Sequence, residues 1–154
     1  MTISMELVKQ LRQETGARIM DCKKALEDAK GDLKLAKKYV QEKGLARAEK
    51  SSDRETVVGY IASYTHATGQ IASLVELCCE TDFVAKNEEF QQLAKNLAMQ
   101  VVAMNPQDKA ELLAQDFIRD SGESVERTIK ALSGKIGEKI VLTRFKRFMI
   151  GEKD

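Results

Sequence analysis

A chain of 154 residues with 43% hydrophobic and 32% charged side chains is long enough to bury a core and too apolar to stay disordered, and its single proline and nine glycines exclude collagen-like and proline-rich classes. The net charge of +1 hides an uneven split, +4 in residues 1–50 and −3 in the remainder, which suggests two modules with different faces but no nucleic-acid-binding stripe. No apolar run approaches the roughly 18 residues that span a bilayer, the opening MTISMELVKQLRQ carries Glu6, Lys9 and Arg12 where a signal peptide would be apolar, and the odd set of three cysteines reads as reduced thiols, so a cytoplasmic protein with no membrane partner is expected.

Glycines punctuate the first 45 residues. Leu7, Val8 and Leu11 share one helical face, and Gly16 suits the residue just past that helix. Ile19, Cys22, Leu26 and Ala29 repeat at three and four up to Gly31. Asp32 is placed to cap a third helix carrying Leu33, Ala36 and Val40, which should stop near Gly44. Three short helices form a very small bundle over residues 1–45. Residues 46–55 have almost nothing large and apolar, and read as a linker with its break at Ser51-Ser52-Asp53.

The period then changes. Val57–Tyr64 is β-branched and aromatic, His66-Ala67-Thr68-Gly69 is turn material, and Ile71–Cys79 reads as a second strand, apolar on both faces, paired antiparallel with the first. Asn87 should cap a long helix with Phe90, Leu93, Leu97, Val101 and Met104 as its stripe, ending at Asn105-Pro106. A short helix over 108–114 follows, then one through Val125, Ile129, Leu132 and Ile136 closed by Gly137, and a last strand from about Lys139 to Met149. The fold class is α+β: a three-helix bundle, then a core over 56–154 with a three-stranded antiparallel sheet covered by helices.

The residues that carry catalysis or cofactors are sparse. The one histidine, His66, falls in a turn, where a solvated role is expected. Cys22, Cys78 and Cys79 have no ligand partners at metal-site spacing, and Cys78 and Cys79 must point to opposite faces of their strand. Neither GxxxxGK[ST] nor GxGxxG occurs. No cofactor or metal is expected, and a binding protein is favoured over an enzyme.

Two places do not fit a bland reading. Thr81-Asp82-Phe83-Val84 stands between a buried strand and a long helix, where a polar turn is usual. Either Asp82 caps a helical turn with Phe83 packed beneath it, or Phe83 projects beside a charge, the composition of an interface hot spot. Ile19 and Met20 stand just after a loop, with Lys9 and Arg12 on a neighbouring helix face. These four are either a mini-core with a solvated face or a basic, methionine-bearing patch that docks on an acidic helix.

At these residues the sequence resembles the bacterial translation elongation factor Ts family. SMELVKQLRQETGARIMDCKKALEDAKGDLKLA is similar to its N-terminal stretch, LVELCCETDFVAKNEEFQQLA to its core signature, and IGEKIVLTRFKRF to its closing strand. The resemblance implies an N-terminal module like a ubiquitin-associated domain, followed by an α+β core. It also implies a guanine nucleotide exchange factor that acts on elongation factor Tu and releases GDP. Thr81, Asp82, Phe83 and Val84 would reach the GTPase near its switch region, the phenylalanine wedging between side chains and disturbing the magnesium and phosphate sites. Lys9, Arg12, Ile19 and Met20 would dock on a helix of the GTPase domain.

Two departures qualify the resemblance. Long family members carry a second core subdomain and a coiled-coil insertion that this chain lacks, so a homodimer is expected to replace the missing contacts. The family often has methionine where this chain has Ile19, and glycine where it has Arg18. The competing functions are a ubiquitin-associated-like adaptor without exchange activity and, from the basic first 50 residues, an RNA-binding accessory protein.

Overall fold

The structure, a computed structural model, describes residues 2–153, so the outermost residues of the two expected modules, 1 and 154, lie outside the described part. Three helices come first: α1 (Met5–Thr15), α2 (Ile19–Asp28) and α3 (Leu33–Lys50). Their ends have local chemical causes. The Ser4 hydroxyl accepts a hydrogen bond from the Glu6 N–H at 3.2 Å, and Asp32 accepts one from Leu35 N–H at 3.0 Å. Gly16 closes α1 by donating its N–H to the Arg12 carbonyl at 2.7 Å. Val8, Leu11, Cys22, Leu26, Ala36 and Val40 then close a small core of their own.

Helix α3 does not stop near Gly44, as its sequence suggests, but runs through it to Lys50. Residues 46–50, expected to open the linker, are therefore helical, and the irregular connector is 51–57. The reason lies far along the chain. Gly44 packs on Gly134 of α7 (Val125–Ile136), backbone against backbone. A Cβ at Gly134 would collide with the Gly44 carbonyl, whereas one at Gly44 would meet its nearest neighbour at an ordinary 3.8 Å. Gly44 thus serves a close helix crossing rather than a helix end. Beside the crossing, Asp21 binds Lys43 at 2.6 Å and Arg47 at 2.9 Å, and Arg47 also donates to the Gly134 carbonyl at 3.4 Å. Partial burial alone would raise the Asp21 pKa, but hydrogen bonds from Lys43 and Arg47 outweigh it and hold the carboxyl below its usual range.

The rest of the chain is β1 (Val58–Thr65), β2 (Ile71–Cys79), α4 (Asp82–Ala85), α5 (Glu88–Met104), α6 (Lys109–Ala114), β3 (Asp116–Phe117), β4 (Asp120–Ser124), α7 and β5 (Val141–Met149). The main sheet is antiparallel in the order β1-β2-β5, with Ala62 opposite Val75 and Val75 opposite Phe145. The molecule is α+β, N-terminal helices followed by a three-stranded sheet packed with helices. The small β3–β4 hairpin was not anticipated, because its DSG stretch is polar and reads as loop.

Strand β2 corrects a second expectation. It buries one face only: Ser73, Val75, Leu77 and Cys79 face the helices, while Leu74 stands exposed between them. Alternation puts Ile61 of β1 and Phe148 of β5 on the same open face, also exposed. The core lies on the other face, where Phe90, Leu93, Leu97 and Val101 of α5 meet Val75, Leu77 and Leu142. Met104, expected in that stripe, is half exposed because the helix is ending there: Asn105 takes a left-handed φ of 46° and closes it.

Candidate partner-binding site

Strand β2 enters the site from below. Its last residue, Cys79, is fully buried, and its thiol donates to the Thr81 carbonyl at 3.3 Å. Burial first, and the Glu138 charge second, push this thiol up to about 11, so it remains protonated and able to donate at neutral pH. Cys78 points the other way, onto the open sheet face, as strand alternation requires.

The chain then turns sharply into α4, one helical turn. Thr81 occupies the N-cap position without a side-chain capping bond, and Asp82 is the first helical residue rather than the cap. The turn closes through Ala85 N–H to Thr81 carbonyl at 3.2 Å and Lys86 N–H to Asp82 carbonyl at 3.1 Å. Val84 and Ala85 sink into the core. Phe83, about 100° round the helix from Val84, points away from the core and is 89% exposed. Of the two arrangements open to the sequence, the ring projects.

The corner is held on both sides. Downstream, Asn87 caps α5 by accepting from Phe90 N–H at 3.1 Å, donates its own N–H to the Val84 carbonyl at 3.0 Å, and is followed by Gln91, whose amide donates to the Ala85 carbonyl at 3.0 Å. Upstream, Glu138 receives the Glu80 N–H at 3.2 Å, the Thr81 N–H at 3.0 Å and the Thr81 hydroxyl at 2.6 Å. Arg54 of the connector reaches both Glu80 and the Gly137 carbonyl at 3.5 Å. Sequence reasoning missed Glu138 and Arg54. Neither lies near the TDFV stretch in the chain, and no local pattern marks them.

The N-terminal candidates lie elsewhere. Lys9 and Arg12 line a shallow surface depression on α1 together with Gln13. Ile19 and Met20 form the opening turn of α2 and are 42% and 68% exposed, so Ile19 leaves the mini-core that its spacing also allowed. The four side chains are all solvent-accessible, on a module separate from the Phe83 corner and joined to the core by the α3–α7 crossing.

Among the described residues, no group of three or more His, Cys, Asp or Glu side chains is placed to hold a metal ion. A cleft of about 250 Å³ beside the α3–α7 crossing is lined by Arg18 and by Lys37, Lys43, Arg47 and Lys135, the last four paired with Glu14, Asp21 or Glu89. His66 is exposed in its turn, with the Tyr64 hydroxyl 3.2 Å from Nδ1. No helix among the described residues is long and apolar enough to cross a membrane. The corner presents an apolar ring on a fixed mount beside a carboxylate.

A family model described as "Elongation factor TS" matches residues 80–154, which begin at the Phe83 corner. Proteins named Elongation factor Ts match almost the whole chain. The one from Desulforamulus reducens is 40% identical, with 97% of this chain and 90% of the relative covered. Those from Methylacidiphilum infernorum and Thermotoga maritima are also 40% identical, covering 99% of this chain and 97% and 98% of themselves. This chain belongs to the elongation factor Ts family. As a member, it is a protein of translation elongation. The aligned stretch of 195 positions exceeds the 154 residues of the chain, so these relatives carry intervening residues that it does not.

Proposed function

We propose that the chain is the guanine nucleotide exchange factor for elongation factor Tu in the cytoplasm: it binds Tu·GDP and promotes GDP release by displacing the magnesium ion and phosphate contacts. The observation that carries this reading is Phe83, an aromatic ring almost wholly in water on a corner hydrogen-bonded on both sides. An exposed phenylalanine on a mobile loop would lose much of its binding energy to ordering; one on a fixed mount loses little. Asp82 and Phe83 make the contact, Thr81 holds the mount, and Val84 is the turn's floor in the core.

Exchange needs no chemical step by the chain's own groups. It needs tighter binding to the nucleotide-free GTPase than to its GDP form, and linkage then weakens GDP by the same factor. Driving such an equilibrium nearly to completion takes about 5.5 kcal/mol of differential binding. Burying one phenylalanine provides roughly 1.5–3 kcal/mol. A second foothold is required, and Lys9, Arg12, Ile19 and Met20 on the N-terminal module supply it.

Phe83→Ala should leave stability within about 0.5 kcal/mol, since the ring is solvent-exposed, and slow GDP release from the partner by on the order of 10–100-fold. Stopped-flow loss of fluorescent GDP measures it. A wild-type rate would take the ring out of the mechanism, whereas GDP release no faster with the wild-type chain than without it would sink the exchange reading and leave an adaptor.

The same reading includes a homodimer. Ile61, Leu74 and Phe148 lie on the uncovered face of the sheet, flanked by the Glu76–Arg144 ion pair and Lys146. A second copy laid face to face would cover this apolar strip. Light scattering at micromolar concentration should give twice the chain mass, and Leu74→Glu should return it to the monomer. A monomeric wild-type mass would rule the dimer out.

A further inference from the structure

The residue that most directly fixes the Phe83 corner is distant in sequence, and among the described residues its carboxylate has no other hydrogen-bond partner. Strand β2 ends at Cys79, so the N–H groups of Glu80 and Thr81 leave the sheet ladder before α4 begins. Unpaired, they would be free to turn the chain elsewhere. One Glu138 oxygen takes both N–H groups, and the other takes the Thr81 hydroxyl. Glu138 is itself fixed. Gly137, left-handed at φ 88°, ends α7, and the Ser133 hydroxyl donates to the Glu138 carbonyl at 2.6 Å. The carboxylate therefore reaches the corner from the end of the same helix that crosses α3.

We propose that Glu138 is the positioning residue of the exchange wedge: it sets the direction in which Asp82 and Phe83 leave the molecule. This rests on the exchange reading above. Glu138 takes no part in the β1–β2 register, which runs up to Val58 opposite Cys79. The core under α4 is anchored by Val84 and Ala85. What depends on it is the fraction of molecules whose ring points where the partner needs it. A protein with a partly populated competent state works in proportion to that fraction. Docking through Lys9, Arg12, Ile19 and Met20 proceeds on a different surface and is untouched.

The test uses the full chain and its cognate GTPase carrying fluorescent GDP, with release followed against factor concentration. Glu138→Ala should lower the maximal release rate roughly tenfold or more, leave the half-saturating concentration within about twofold, and speed amide exchange at Glu80 and Thr81. Glu138→Gln keeps one oxygen for the two N–H groups and offers an N–H to the Thr81 hydroxyl, which can accept; it should retain most of the rate. Thr81→Val, which removes only one of the three bonds, should lose less than Glu138→Ala and serves as the reporter should that variant fail to fold.

A wild-type maximal rate in Glu138→Ala, or in Thr81→Val where the alanine variant does not fold, overturns the proposal while a slow Phe83→Ala leaves exchange standing. A wild-type rate in Phe83→Ala fails the wedge reading on which this proposal rests, and release no faster with the wild-type chain than without it fails exchange itself. Glu138→Gln as slow as Glu138→Ala also overturns positioning, because the charge would then be acting on the partner directly. So does a change confined to half-saturation.

Discussion

Two of the exposed apolar sites of this molecule, the α2 opening and the Phe83 corner, are mounted differently. Ile19 and Met20 open α2, whose N-cap residue, Arg18, makes no side-chain capping bond. Nearby order comes from Asp21, one residue on, which is tied to Lys43 and Arg47 of α3. Phe83 sits on one turn of helix that is hydrogen-bonded before it by Glu138 and after it by Asn87 and Gln91. The first mount has fewer hydrogen bonds holding it than the second. A docking patch gains from adaptation, because methionine repacks at low cost. A wedge needs resistance, since a ring that swings away does not deform its target. The contrast argues for affinity at the N-terminal module and leverage at the corner, joined by the α3–α7 crossing.

Breaking the join should have the largest effect. Gly134→Ala puts a methyl group against the Gly44 carbonyl and forces the two helices apart. The overpacking costs about 1–3 kcal/mol, offset in part by up to about 1 kcal/mol of better helix propensity. A net loss of about 1 kcal/mol or more is expected by denaturant unfolding, with slower GDP release although neither contact surface has changed. Unaltered stability and rate together would mean that the modules work without a fixed spacing.

Next in size is the N-terminal mount itself. Met20→Ala with Arg12→Ala removes an exposed apolar contact and a charge without touching the buried bundle. Complex formation should weaken roughly tenfold or more, as for a modest hot spot, while the release rate at saturation holds. Calorimetry would read the affinity. Equal affinity would remove the N-terminal patch from the interface, and a drop confined to the saturated rate would undo the division between affinity and leverage.

Much of the frame was legible from local signals. Asp32, Asn87 and Gly137 mark helix ends because capping is decided within a few residues, and Ile71–Cys79 appears as a strand with the same limits. The TDFV stretch also announced itself, as apolar residues where a turn should be polar. What local pattern could not supply was distance. Gly44 looks like a helix stop until Gly134 lies against it. Glu138 looks like a surface carboxylate until Thr81 is brought to it. Leu74 looks like core until the sheet proves to be covered on one side only. The outward turn of Phe83 belongs to the same class, because nothing in DFVA says which of its residues meets the core.

The smallest effect should have the opposite sign. Gly44 lies in the interior of α3 with no positive φ, and a Cβ there would find its nearest neighbour, the Gly134 backbone, at 3.8 Å, ordinary contact. Gly44→Ala therefore adds a methyl group without collision and removes the excess backbone freedom of glycine from the unfolded chain, which should stabilise the protein by about 0.4–1 kcal/mol. The two glycines of one crossing are thus not equivalent: alanine collides at Gly134 and fits at Gly44. Because the substitution stiffens α3 without moving it, GDP release should stay at the wild-type rate. Measured side by side by denaturant unfolding, a loss at Gly44 as large as that at Gly134 would show that the helices meet on a different face, and with that the proposed brace between patch and wedge would lose its geometry.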